Sequence, residues 1–109
     1  MSDRGDSEFV GDMVVAITSI LEYTEGISYA VFLDDNKTKD AVVRNFQVLG
    51  ESAKGVSEGF RRKHPQIPWK NLARVRDRLV HQYFGVNYEI IWAITKDRLP
   101  EVLRELGKL

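Results

Sequence analysis

Apolar positions recur at intervals of three and four along most of the chain, the spacing of helices with one buried face. Phe9, Val10, Met13, Val14, Ile17, Ile20 and Leu21 form the first stripe. Ser7 stands where it can cap that segment, so a helix is predicted from there to about Ile27, with Gly26 weakening its last turn. Asp34, Asp35, Asn36 and Lys37 read as a polar connector. Thr38 is a plausible N-cap for a second helix, with Asp40 in its first turn.

Within that second helix Val42, Phe46, Leu49, Ala53, Val56 and Phe60 step by four and three alternately, the seam of an antiparallel pair. Gly50, Gly55 and Gly59 lie inside it, each costing roughly 1 kcal/mol relative to Ala. Close helix approach is one reason to keep them. His64-Pro65 and Pro68 end the segment. Pro68 also suits the first position of a third helix, which carries Trp69, Leu72, Val75, Leu79 and Val80 inward until Gly85. Asn87 caps a fourth helix through Ile90, Ile91 and Ile94, and Pro100 opens a short last one with Val102, Leu103 and Leu106. No repeat, low-complexity tract or alternating strand pattern interrupts this. The expected architecture is all-α: an up-and-down bundle of four main helices plus a short C-terminal helix. It forms a single domain over residues 1–109, with residues 1–7 as a flexible N-terminus.

Composition narrows the chemistry. With no Cys there are no disulfides, thiolate metal sites or cysteine nucleophiles. His64 and His81 are the two histidines and lie 17 positions apart, which excludes a His-rich metal site, so no cofactor is expected. No Gly-Lys-Ser/Thr phosphate loop is present. The start carries charges of both signs and no apolar core, and no apolar run approaches the roughly 18 residues of a membrane span. A cytoplasmic protein without membrane contact is the expectation.

The formal charge is zero, but it is divided unevenly. Residues 1–60 hold 11 acids and 5 bases, a net of −6, and residues 61–109 hold 5 acids and 11 bases, a net of +6. Much of the basic excess falls on Arg61, Arg62, Lys63, Lys70, Arg74, Arg76 and Arg78, opposed there by Asp77 alone. Such a stretch suits a polyanion and equally suits a solvated helix face. Lys70, Arg74 and Arg78 are candidates for contacts to the phosphates of such a polyanion, or equally for solvated charge.

The segment Arg74-Val-Arg76-Asp77-Arg78-Leu-Val-His81-Gln-Tyr83-Phe84-Gly85 brings guanidinium, imidazole and phenol to the end of one amphipathic helix. Arginine holds phosphate bidentately, and histidine titrates near neutrality. Together they suffice for metal-free RNA cleavage, with the ribose 2′-OH as internal nucleophile. On these residues alone the signal is weak, since an Arg and a His five apart occur in many helices, and an inter-helix ion pair for Arg76, a carbonyl-bonded His81 and a plain core aromatic at Tyr83 explain the pattern better.

Arg76-Asp77-Arg78-Leu79-Val80-His81-Gln82-Tyr83 resembles the R-x4-H-x-Y motif of the HEPN superfamily, in its HepT-like branch of ribonuclease toxins. Asp40 to Lys54, with its Arg44-Asn45 pair and Gly50-Glu51 step, is similar to that branch's second helix. Pro68-Trp69 before the motif, and Phe84-Gly85-Val86 and Trp92 after it, also fit. The likeness runs from about Ile20 to Leu103, departing at Ser52, where Ala is commoner, and in the neutral total charge.

The resemblance implies an all-α endoribonuclease, the toxic half of a toxin–antitoxin pair. It implies Arg76 and His81 as the catalytic pair, and Tyr83 as the residue to which a nucleotidyltransferase-type antitoxin transfers AMP. Asp77, after the motif arginine, becomes a candidate to orient Arg76 or His81. Asn45 and Glu51 lie off the apolar seam and are left outside the catalytic set.

Helix geometry adds a constraint. Arg76 and His81 stand about 140° apart around a regular helix and roughly 7.5 Å along it. Either the helix loosens near His81, or a two-fold partner supplies the second set of groups. The family's dimers, with the motif in a cleft between subunits, favour a homodimer. A non-cleaving RNA- or nucleotide-binding module, and a structural helical partner of a nucleotidyltransferase, are the alternatives.

Overall fold

The computed structural model describes residues 4–81 and 85–109, the side chains of Val80 and His81 excepted. Among the described residues all regular structure is helical, in the order α1 (Asp6–Thr24), α2 (Tyr29–Asp34), α3 (Asn36–Gly55), α4 (Glu58–Lys63), α5 (Trp69–His81), α6 (Tyr88–Asp97) and α7 (Leu99–Leu106). The all-α class thus holds. Two short helices, α2 and α4, were not expected.

Local chemistry explains both. Ser28 caps α2, its hydroxyl accepting the Val31 N–H, and Phe32 goes into the core. The expected connector thereby shrinks to Asp35, whose carboxylate accepts the Thr38 N–H at 3.0 Å and the Thr38 hydroxyl at 2.6 Å. Thr38 is consequently a donor inside α3 and Asp35 is the cap. Both hydrogen bonds hold the Asp35 carboxyl below the usual carboxylate range, the one from the Thr38 hydroxyl contributing most.

The second helix does not run to Phe60. It ends at Gly55, Val56 turns extended, and Ser57 caps α4 by accepting the Phe60 N–H. The break is imposed from α1. A Cβ on Gly55 would lie 2.5 Å from the Phe9 ring, so that ring occupies the space beside the helix end. The Asp6 carboxylate accepts both the Ser57 N–H and the Ser57 hydroxyl, each at 2.7 Å. Those bonds, the backbone one foremost, also lower the Asp6 pKa. Asp6 opens α1, with Gly5 rather than Ser7 at the cap position and no side-chain cap bond. The helix stops at Thr24, short of Ile27, and Gly26 turns the chain at φ +75°. Because the start of α1 thus meets the end of α3, those two helices run antiparallel.

α3 is the central element, packing against α1 on one side and α5 on the other. Met13, Ile17 and Ile20 of α1 meet Val42, Phe46, Leu49 and Ala53 of α3, all essentially inaccessible to water. Burial of each larger side chain contributes about 1.5–3 kcal/mol. Leu72 and Leu79 of α5 join them, and Ile91, Leu99, Val102 and Leu106 close the core from α6 and α7. The expected caps at the C-terminal end hold. Asn87 accepts the Ile90 N–H at 3.1 Å, and Pro100 sits in the first turn of α7. Trp69 anchors the start of α5, its indole N–H donating to the His64 carbonyl at 2.9 Å. No helix among the described residues is long and apolar enough to cross a membrane.

Candidate active site on the third long helix

α5 meets α3 unusually closely, and Gly50 is the reason. A Cβ there would lie 2.1 Å from the Arg76 Cβ and 2.7 Å from the Leu72 carbonyl oxygen. The two backbones could not approach this far with any side chain at position 50. Of the three interior glycines, Gly50 and Gly55 therefore serve close approach, whereas the space beside Gly59 is open.

This contact fixes Arg76. Its side chain is about one quarter exposed, flanked by carboxylates from both helices. Nη2 forms an ion pair with Glu51 Oε2 at 3.0 Å, and Nη1 donates to Asp77 Oδ1 at 2.9 Å. The Lys54 ammonium reaches the same Asp77 oxygen at 3.2 Å. Hydrogen bonds from Arg76 first and Lys54 second lower the Asp77 pKa, so the carboxylate stays charged well into acid. Two cations and two carboxylates thus form one chain across α3 and α5.

The guanidinium opens on a groove of about 460 Å³, walled by Arg44, Val48, Glu51 and Ser52 of α3 and by Phe9 and Asp12 of α1. Arg4 and Asp12 pair on the α1 side. An arginine held in place by carboxylates at the wall of a groove is preorganised to meet an anion there.

The remaining expected residues are distributed differently. Asp77 is brought to Arg76. Arg74 and Arg78 are not: they project from another face of α5, where with Ile94, Arg98, Leu99 and Val102 they line a second groove of about 300 Å³. Lys70 lines a third, with Arg61 and Arg62 of α4. α5 is helical as far as His81, whose side chain is not among the described ones. Tyr83 and the expected helix end before Gly85 lie outside the described residues.

Two participants were not anticipated. Glu51 lies off the apolar seam, where a polar rim or a dimer contact explains it as well as a role in the cleft does, yet that displacement is what puts it beside α5. Lys54, one turn along the same face, follows by the same register. Asn45 instead bonds back to the Ala41 carbonyl of its own helix at 2.9 Å. Among the described residues no three His, Asp or Glu side chains converge as a metal-binding group would.

The family model described as "Ribonuclease HepT-like" matches residues 13–109. "Putative RNase MJ0127" of Methanocaldococcus jannaschii is 42% identical over 101 residues, covering 93% of this chain and 84% of that protein. "Probable ribonuclease HepT" of Thermococcus cleftensis is 39% identical over 106 residues, covering 97% of this chain and 96% of that protein. "Putative RNase TTE0752" of Caldanaerobacter subterraneus subsp. tengcongensis is 39% identical over 90 residues, 83% of this chain and 80% of its own. No solved structure matches.

Proposed function

This chain belongs to the ribonuclease HepT-like family, and on that premise we propose that it is a metal-independent endoribonuclease acting as the toxic half of a toxin–antitoxin pair. The observation that carries this reading is the Arg76 guanidinium, held by Glu51 and Asp77 at the edge of an open groove. His81 removes the proton from a ribose 2′-OH. The freed oxygen bonds to the adjacent phosphorus, and the bond from phosphorus to the 5′ oxygen breaks as that oxygen takes up a proton. Arg76 stabilises the extra negative charge on the phosphorane-like transition state. The products are a 2′,3′-cyclic phosphate and a 5′-hydroxyl.

The helical register supports a two-fold assembly. Helix α5 keeps its α-helical course through His81, so Arg76 and His81 are about 140° apart around one axis. A second copy brings the complementary groups to the same phosphate. Tyr83, two residues after His81, is the acceptor of AMP from a cognate nucleotidyltransferase antitoxin. The added phosphodiester charge competes for the arginines that receive substrate.

The deciding experiment is induced expression of the wild type beside His81→Ala, with total RNA examined for new fragments, followed by cleavage with purified protein in EDTA. Fragments bearing 2′,3′-cyclic phosphate, made by the wild type alone and retained in EDTA, are expected. Strict dependence on added magnesium overturns the chemistry, and equal cleavage by His81→Ala overturns the assignment of the base.

A further inference from the structure

The arginines and lysine turned away from Arg76 form a feature of their own. Lys70, Arg74 and Arg78 follow one another at four-residue intervals, so they lie on one ridge of α5, roughly 6 Å apart along its axis. All three are exposed. The groove beside Arg74 and Arg78 and the groove beside Lys70 share Pro68 and Asn71 as lining residues, so they adjoin. Arg98 of α6–α7 flanks one end, and Arg61 of α4 flanks the other.

These five cations form no ion pair among the described residues. The ion pairs among the described residues involve Arg4, Lys54, Arg62, Arg76 and Lys108, and none involves Arg61, Lys70, Arg74, Arg78 or Arg98. Arg61 also keeps a buried Nε–H without an acceptor. The carboxylates nearby do not cancel the field along the ridge. Glu58, which pairs with Arg62, lines the groove beside Lys70, and Glu101 and Glu105 line a neighbouring groove at Arg98, so acid is confined to the two ends and the stretch between Arg74 and Arg78 has none among its lining residues. Between the cations the groove floor is apolar, made by Leu72, Val75, Ile94, Leu99 and Val102.

We propose that this ridge is a track for the backbone of single-stranded RNA, separate from the groove that holds Arg76. The inference rests on the ribonuclease reading and adds where the substrate strand runs outside the cleavage point. Regularly spaced unpaired cations match the regular charges of an extended polyanion, and the partly exposed Val75 and Ile94 leave an apolar edge between them. A folded acidic partner would present charge in patches and would not call for this even spacing.

The test separates binding from chemistry. Fluorescein-labelled 2′-O-methyl oligouridylate lacks the nucleophilic hydroxyl, so it reports binding alone. Its affinity is measured against salt concentration for the wild type, for Arg74→Ala/Arg78→Ala/Arg98→Ala, and for Lys37→Ala, which removes one exposed charge at the start of α3. The slope of log K on log salt should fall by about 2 in the triple variant, roughly 0.7 per lost phosphate contact, and stay unchanged in Lys37→Ala. Circular dichroism confirms that the triple variant is folded, and the singles Arg74→Ala and Arg78→Ala, each expected to lower the slope by about 0.7, stand in if it is not.

An unchanged slope overturns the track, even if the wild type cleaves RNA in a parallel assay. Unchanged RNA binding together with loss of a co-expressed nucleotidyltransferase from the triple variant overturns it in favour of a protein partner. A lowered slope in a protein that never cleaves ribose-containing RNA leaves the track standing and removes the nuclease reading.

Discussion

Arg76 and Arg78 are two residues apart on α5, yet they live in opposite electrostatic circumstances. Arg76 is pressed against α3 at Gly50, about one quarter exposed, and bonded to carboxylates on both helices. Arg78 stands exposed beside an apolar groove with no carboxylate in ion-pair range among the described residues. A helix turns about 200° in two residues, so identical side chains receive different neighbours. The lesson is one of division of labour. A positioned guanidinium suits charge that develops during reaction, whereas an unpaired one suits a ligand already charged.

The largest effect expected from that contrast is on turnover. Arg76→Ala should lower kcat by about 10²–10³-fold, the scale of losing one preorganised donor to a transition state. Arg78→Ala should leave kcat nearly intact and raise KM, increasingly so as salt is lowered. Steady-state kinetics on a defined RNA at two ionic strengths would distinguish them, and equal kcat losses in both would erase the contrast.

Next in size is the packing that creates the Arg76 side. Gly50→Ala gains about 1 kcal/mol of helix propensity but forces a methyl into space held by Arg76 Cβ and the Leu72 carbonyl. Overpacking costs typically 1–3 kcal/mol before that gain, so a net loss approaching 2 kcal/mol in urea unfolding is expected. Gly59→Ala, with nothing within 4 Å of the new methyl, should instead gain up to about 1 kcal/mol. If Gly50→Ala is the more stabilising of the two, the close approach of α3 and α5 is refuted.

The smallest effect is a pH dependence. Asp77 is held below its ordinary pKa by Arg76 and then Lys54, so the unfolded chain binds more protons between the two pKa values. Stability from this carboxylate is fully present above the unfolded value near 4 and is lost as pH falls through the folded one. Asp77→Asn should therefore be less stable than wild type at neutral pH, with the gap closing in acid. Asp6 and Asp35 shift the same way and remain in both proteins, so they do not disturb the comparison. A gap that widens in acid would contradict the ion-pair chain.

Much of this was legible in the residues themselves. The spacing of Met13, Ile17 and Ile20, and of Val42, Phe46, Leu49 and Ala53, gave the two main helices and their buried faces, because period 3.6 is local information. Asn87 and Pro100 marked helix starts through chemistry confined to one turn. The motif on α5 singled out Arg76 and Asp77, which do meet. What failed was local as well as distant. Asp35 outcompeted Thr38 as a cap because its carboxylate reaches both Thr38 donors.

Local periodicity and residue chemistry are enough to make the chain helical, to turn most apolar residues inward, and to bring guanidinium, imidazole and phenol into one segment. That α3 stops at Gly55 depends on long-range packing, because the Phe9 ring and the Asp6 carboxylate that end it come from about 50 residues away in the chain. Such packing alone brings Glu51 and Lys54 to Arg76 and Asp77, and leaves Arg74 and Arg78 apart from them. Periodicity states which face a residue takes on its own helix, but the partner on that face is set by how closely two backbones can approach. Here the missing side chain of Gly50 sets that distance.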